Sequence, residues 1–349
     1  ASPVQGKPLF QLFAEHLIKT GEKFGHAIPW FIMTSPINDQ PTREFFAEHD
    51  NFGLAADQVT FFPQGTMPSI GFDGKVMLKS KDSIALNPDG HGGSLKALYA
   101  SGSIRKMQDA GIEYISYWQV DNPLVKCIDP LFIGLHHLDG SQMSSKMIPK
   151  LYGMEKLGNF AIIDDRLHII EYSDLPGQLA EQRTEDGELR FRAGSPAIHV
   201  ISVDFVAELN RDGRIRLPMH RAEKKVPHVD PETGDQVDPD EPNGVKLEMF
   251  VFDALPLCET SIILETSREE EVAQIKNAEG ENSPESSRQM QSDRAGRWLT
   301  EVGVDVPFDD EGHVKAAIEI SPLTAVEPQD LKGLPGLPQQ ITPGDEVVI

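Results

Sequence analysis

Asn87-Pro88-Asp89-Gly90-His91-Gly92-Gly93 packs three glycines into a single turn. Glycine at these positions removes the Cβ atoms that hold a ligand off the backbone, and it permits the positive φ of a tight loop. Helical periodicity starts at Ser94 and predicts a helix over residues 94–110. Its free N–H groups and positive dipole end would face whatever the loop holds. An apolar strand over 114–120 follows and stops at Asp121-Asn122-Pro123. A carboxylate at the carboxyl end of a buried strand is the usual place for a ligand-contacting acid in an open α/β sheet. Turn, helix and strand-end acid together point to a nucleotide or sugar-phosphate site.

The pattern on either side continues as α/β. A helix over 8–20 precedes a buried strand over 28–34, then a short helix over 42–49 and a strand over 59–63. Asp73-Gly74 reads as the two-residue turn of a hairpin joining 69–72 to 75–78. Beyond the glycine turn, Asp129 and Pro130 are start signals for a helix over 130–139, and a strand over 142–148 follows. Such alternation predicts a Rossmann-like, mostly parallel mixed sheet flanked by helices. The middle carries antiparallel signals, with 160–163 and 167–172 about the turn Asp164-Asp165, and a core strand over 197–201. Residues 228–243 read as an exposed acidic loop. The spacing of Leu247, Phe250, Val251, Ala254 and Leu255 predicts a helix over 245–255 ended by Pro256, and a strand over 261–266 closes the region. A capped helix starting at Ser283-Pro284-Glu285 then opens a small C-terminal α+β domain, giving domains of 1–278 and 279–349.

Composition excludes several classes. The 349 residues are 39% hydrophobic and 25% charged, as in ordinary globular proteins. Basic residues number 32 and acidic 55, so the net charge is 32 − 55 = −23. Such a field repels nucleic acid and anionic membranes, so neither is expected as a partner. Cys127 and Cys258 are the only cysteines, too few for a disulfide framework, which predicts a reducing, cytoplasmic setting. The apolar run near 27–33 is too short to span a bilayer.

At this depth the residues resemble a family. Ile28-Pro29-Trp30-Phe31-Ile32-Met33-Thr34-Ser35, Phe61-Phe62-Pro63-Gln64-Gly65 and Pro88-Asp89-Gly90-His91-Gly92-Gly93 are similar to blocks of the UDP-sugar pyrophosphorylases. So are Val120-Asp121-Asn122-Pro123-Leu124-Val125-Lys126, Ile169-Ile170-Glu171-Tyr172-Ser173, Asn243-Gly244-Val245-Lys246-Leu247-Glu248, Phe250-Val251-Phe252-Asp253 and Ile275-Lys276-Asn277. The likeness is strongest to the UDP-N-acetylglucosamine pyrophosphorylase branch, with the UTP–glucose-1-phosphate uridylyltransferase type behind it. It implies a GT-A-like nucleotidyltransferase domain that converts UTP and a sugar 1-phosphate to UDP-sugar and pyrophosphate with Mg²⁺. It also implies a glycine-rich triphosphate loop with an Arg and a Lys upstream of residues 1–9, so the chain is expected to be a fragment with little turnover by itself.

Residue by residue, the expectations are these. The Gln64 amide, with donor and acceptor, suits a pyrimidine edge, and Gly65 and Gly90 bring backbone to the nucleotide. Asp121 is the metal and catalytic candidate, because Mg²⁺ takes few protein carboxylates and completes its shell with phosphate and water. Lys246 is placed in a first helical turn, where a cation is unfavourable, which argues for a phosphate-binding and catalytic role. Lys276 reads as a surface lysine from the chain alone, and the resemblance makes it phosphate-binding. His91, Glu171, Tyr172 and Ser195 correspond to sugar or phosphate contacts. Ser195 stands where the N-acetylglucosamine branch has Asn, and relatives often have Asn where His91 stands. The sugar therefore stays open between N-acetylglucosamine 1-phosphate, glucose 1-phosphate and broad specificity. A catalytically silent UDP-sugar-binding module is the alternative from another class.

Overall fold

The computed structural model describes residues 1–213, 215 and 217–349. The glycine turn is built against a short parallel pair, Trp30–Thr34 beside Val59–Pro63. The Gln64 N–H extends that pair by donating to the Thr34 carbonyl at 2.8 Å. Helix Leu9–Phe24 lies over it with Phe13, Ala14 and Leu17 buried, and it ends at Gly25, whose φ of 73° closes the last turn. Phe13, Phe46, Trp30 and Ile32 form the core of this part.

The main sheet has seven strands, and it departs from the expected mostly parallel arrangement. Met143–Pro149 pairs in parallel only with Ile263–Glu265. Its pairings with Ala193–Ser195 and His199–Ser202 are antiparallel. The reason is connectivity. Gly158–Ile163 and Arg166–Ile170 form a hairpin about Asp164 and Asp165, whose φ values of 49° and 59° make the tight turn that matches strand twist. The returning segment 193–202 then has only antiparallel neighbours.

That segment forks the sheet. It is kinked at Ala197, φ 59°, where the Ser195 hydroxyl accepts from the Ala197 N–H at 3.3 Å. On one side of the kink Gly158 lies opposite Ser195, and on the other Tyr117 lies opposite His199.

Three further expectations are corrected. The helix placed at 94–110 is two helices, Gly93–Ala100 and Ser103–Asp109, broken at Gly102 with φ 78°. The strand placed at 114–120 ends at Tyr117. The helix placed at 245–255 is a strand, Gly244–Glu248, followed by a 3-10 turn, Val251–Leu257. Pairing overrode periodicity here: the strand lies between His220–Lys224 and Ile70–Gly71, while Val251, Ala254 and Leu255 keep their buried spacing inside the 3-10 turn. The Asp73-Gly74 turn is present with a three-residue loop: Gly71 N–H donates to the Lys75 carbonyl at 2.8 Å and Gly74 takes φ 81°. Helix Pro130–Asp139 has the expected bounds, with Asp129 accepting from Leu131 and Phe132.

Helix Pro284–Glu301, capped by Ser283, carries Ala295, Trp298 and Leu299 into a separate apolar cluster with Val304, Ile318 and Leu331. Cys127 and Cys258 are buried and unpaired. Among the described residues no helix is long and apolar enough to cross a membrane.

Candidate functional site

The glycines of the 87–93 turn are explained first by protein neighbours. A Cβ on Gly92 would stand 2.7 Å from the Met249 and Phe250 backbone, and one on Gly90 would overlap Met249. Two hydrogen bonds fix this approach, from Gly92 N–H to Met249 O and from Met249 N–H to Asp89 O, both 2.8 Å. The expectation of free N–H groups at the following helix is corrected. Those of Gly93, Ser94 and Leu95 donate to Gly90, His91 and Gly92 carbonyls at 3.0, 3.2 and 3.3 Å. The N–H of Gly90 itself has no carbonyl partner among the described residues.

Asp89, to which no role was assigned from sequence, is central to the loop. Its carboxyl is buried between Gly65 and Gly93, and burial pushes its proton affinity up. Its N–H donates to the Gly65 carbonyl at 3.1 Å, and Thr66 pairs with Pro88. Gln64 and Gly65 are therefore tied to the glycine turn.

His91 is neutral at physiological pH. Burial, then the charges of Lys276 and His220, lowers it to about 4. Its Nδ1 accepts from the Val251 N–H at 3.2 Å, which leaves the ring proton on Nε2 as a donor. The ring stacks on Phe250 at 5.1 Å, and His220 stacks on Phe250 at 4.3 Å. His220 binds Asp253 at 2.8 Å and Asp174 at 3.3 Å, so it links the segment after Glu171-Tyr172 to this aromatic stack. Nothing in the sequence marks this histidine for a role.

Lys276 organises the charge. It is exposed, and its field draws down the proton affinity of Asp121 and Glu171, although burial outweighs it and both carboxyls end up raised. Lys276 thus lies within electrostatic reach of Asp121, Glu171 and His91. Asp121 follows the strand end by four residues, and its carbonyl accepts from the Ile275 N–H at 2.8 Å. Tyr172 is half-buried beside Glu171. The Ser195 hydroxyl is engaged by Ala197, a structural duty that the sequence does not reveal.

Lys246 is the exception. It lies on a strand opposite Ala222, so the helix-dipole argument for it fails. Among the described residues its ammonium has no ion pair, and nothing places it against Asp121; it sits three residues before Met249.

Six buried side-chain atoms among the described residues lack a hydrogen-bond partner: Gln64 Oε1, Asp89 Oδ1, Ser94 Oγ, Asp121 Oδ1, His199 Nε2 and Glu319 Oε1. Five of them flank the glycine turn or the sheet fork. No three His, Cys, Asp or Glu side chains among the described residues group as a ready-made metal set.

The chain matches the model of the family described as UTP–glucose-1-phosphate uridylyltransferase over residues 4–279. It is 36% identical to human UDP-N-acetylhexosamine pyrophosphorylase-like protein 1, over 93% of this chain and 68% of that protein. Identity to the UDP-N-acetylglucosamine pyrophosphorylase of Saccharomyces cerevisiae is also 36%, over 86% of this chain and 65% of that one. This chain thus spans about two thirds of the length of these relatives. The crystal structure of a putative UDP-N-acetylglucosamine pyrophosphorylase from Entamoeba histolytica superposes with a TM-score of 0.85 at 32% identity, covering 98% of this chain and 85% of that one. On the family match, the identity over most of the chain and the shared fold, this chain belongs to the UDP-sugar pyrophosphorylase family.

Proposed function

We propose that the protein is a uridylyltransferase that forms a UDP-sugar and pyrophosphate from UTP and a sugar 1-phosphate, with N-acetylglucosamine 1-phosphate as the leading sugar. The observation that carries this reading is that Gln64 Oε1, Asp89 Oδ1 and Asp121 Oδ1 are buried without a hydrogen-bond partner, with the Lys276 charge acting on Asp121, in a chain of this family.

The reaction needs an in-line nucleophile and cations where negative charge builds, with little covalent help from the protein. A sugar 1-phosphate oxygen attacks the α-phosphorus of UTP, the bond to the β-phosphate oxygen breaks, and pyrophosphate leaves. Gln64, with the Gly90 main chain, would hold the uracil edge. His91 would offer Nε2–H to sugar or phosphate, and Glu171, Tyr172 and Ser195 would border the sugar. Lys276 neutralises the phosphates, and Lys246 is assigned the same duty on resemblance alone.

A divalent metal suits this donor set. Mg²⁺ binds through one or two carboxylates plus substrate phosphates, and Asp121 presents one oxygen that the protein leaves unpaired. When bound, the ion would screen the negative charge shared between the phosphates.

The test is pyrophosphate release from UTP with a panel of sugar 1-phosphates, run on the complete gene product. Release with N-acetylglucosamine 1-phosphate ahead of glucose 1-phosphate supports the assignment. Heat of UDP-sugar binding in calorimetry, with no pyrophosphate from any member of the panel, replaces it with a binding module.

A further inference from the structure

The acid and the lysine of this site come from chain segments about 150 residues apart, yet they are sewn together. The backbone N–H of Ile275 donates to Asp121 O at 2.8 Å. Next to it, Asn122 is 2% exposed and uses both ends of its amide. Its Nδ2 donates to Glu271 O at 2.7 Å, and its Oδ1 accepts from Ala273 N–H at 2.9 Å and Leu124 N–H at 3.3 Å. Segment 271–275 is thus laid along Asp121-Asn122, and Lys276 is the next residue.

Two further anchors hold the strap from behind. The Glu271 carboxylate takes the fully buried Lys146 at 2.6 Å, and Lys146 also binds Asp129. From the C-terminal helix, Ser287 Oγ donates to Ala273 O at 2.9 Å, and Arg294 Nη1 reaches Leu124 O at 3.0 Å and Glu270 O at 3.2 Å. The strap is therefore fixed at its start and middle by these groups and at its end by Asn282, whose carbonyl accepts from the Lys276 N–H at 2.7 Å, while the Lys276 side chain is exposed.

We infer that Asn122 is a positioning residue: its amide sets where Lys276 stands relative to Asp121, and it acts on phosphate neutralisation only through that lysine. An amide is required, because one face must donate to a carbonyl while the other accepts from an N–H. The inference rests on the proposed uridylyl transfer and adds a residue to it.

The test is a double-mutant cycle on the complete gene product, with Asn122→Ala made in the native and the Lys276→Ala backgrounds and thermal melting checked for each. In the native background kcat is expected to fall about tenfold or more, in keeping with the cost of a sub-ångström to ångström misplacement of a charged group. KM for UTP is expected to move less than about threefold, since nucleotide contacts are untouched. In the Lys276→Ala background the same change is expected to cost less than about twofold, because the lysine it positions is gone. Equal losses in both backgrounds, or no loss in the native one, overturn the inference. Where Asn122→Ala does not fold, Asn122→Asp, which keeps the acceptor and loses the donor, runs the same cycle, and the same outcomes support or overturn the inference. A native protein that releases no pyrophosphate defeats the proposed activity instead. The strap is then judged by the affinity for UDP-N-acetylglucosamine across the four proteins, where additivity overturns it.

Discussion

Asp89 hangs on Gly65 twice: its N–H donates to the Gly65 carbonyl at 3.1 Å, and its Oδ2 lies where a Cβ on Gly65 would stand only 2.5 Å away. The carboxyl is buried, so it has little room to retreat. Gly65→Ala is therefore expected to cost about 1–3 kcal/mol by overpacking. It should also weaken UDP-sugar binding, because Gln64 precedes it. Urea midpoints and calorimetry check both. A variant as stable and as tight as the native protein would strip this carboxyl of its place in the site.

Asp121 is where stability and function pull apart. Burial disfavours its charge, and one oxygen has no partner in the chain. Asp121→Asn should leave the melting temperature unchanged or raise it, while kcat drops on the order of a hundredfold or more, as for other losses of charge stabilisation. A melt together with a Mg²⁺ titration of pyrophosphate release measures the two effects. Loss of folding with retained turnover would reverse the assignment.

Lys146 bears on stability. It is fully buried between Asp129 and Glu271. Lys146→Met leaves two carboxylates without their cation, and about 3–5 kcal/mol of stability is expected to go. Denaturant unfolding reads this directly, and a loss under about 1 kcal/mol would place the pair among weak surface-type bridges.

Acid should destabilise the protein through its buried histidines as pH falls below the ordinary histidine range. Burial lowers His91 and His136 to about 4, and His16 and His199 to about 3. In the unfolded chain each takes up a proton near the ordinary value of about 6.5. The unfolded state then binds more protons, so stability is full above about 6.5 and is lost as pH falls towards 4. His313, raised by Asp293, has the opposite sign: its contribution is present below the ordinary value and fades as pH rises. Among the histidines one such residue stands against four, and the carboxyls of Asp89, Asp121, Glu171 and Asp253, raised by burial, share the sign of His313 as pH falls towards the carboxylate range. Urea midpoints at pH 7.5 and pH 5 should show lower stability at pH 5, and equal midpoints would contradict the burial of these rings.

Strong local signals were legible in the chain. Asp129-Pro130 and Ser283-Pro284 start helices where capping chemistry puts them, and Val59–Pro63 has the expected bounds. Pairing partners were not legible. Residues 245–248 satisfy helical spacing, yet two strands from elsewhere claim them, and the kink at Ala197 depends on a hydroxyl two residues earlier. Gln64 and the glycine turn stood out because they border elements, whereas Asp121 was singled out as a strand end that the structure places four residues earlier, at Tyr117. Asp89, Asn122 and His220 could not, because their meaning lies in partners distant in sequence, such as Glu271 for Asn122 and Asp253 for His220. The glycines show the same limit: their crowding was visible, and that it admits the Met249 backbone was not.

The central claim is most directly measured by diffraction from a crystal of this protein soaked with UDP-N-acetylglucosamine. The expected density puts the uracil edge on the Gln64 amide and Gly90 N–H, with the diphosphate between Asp121 and Lys276. Density for the nucleotide anywhere else, with these four residues untouched, would contradict it.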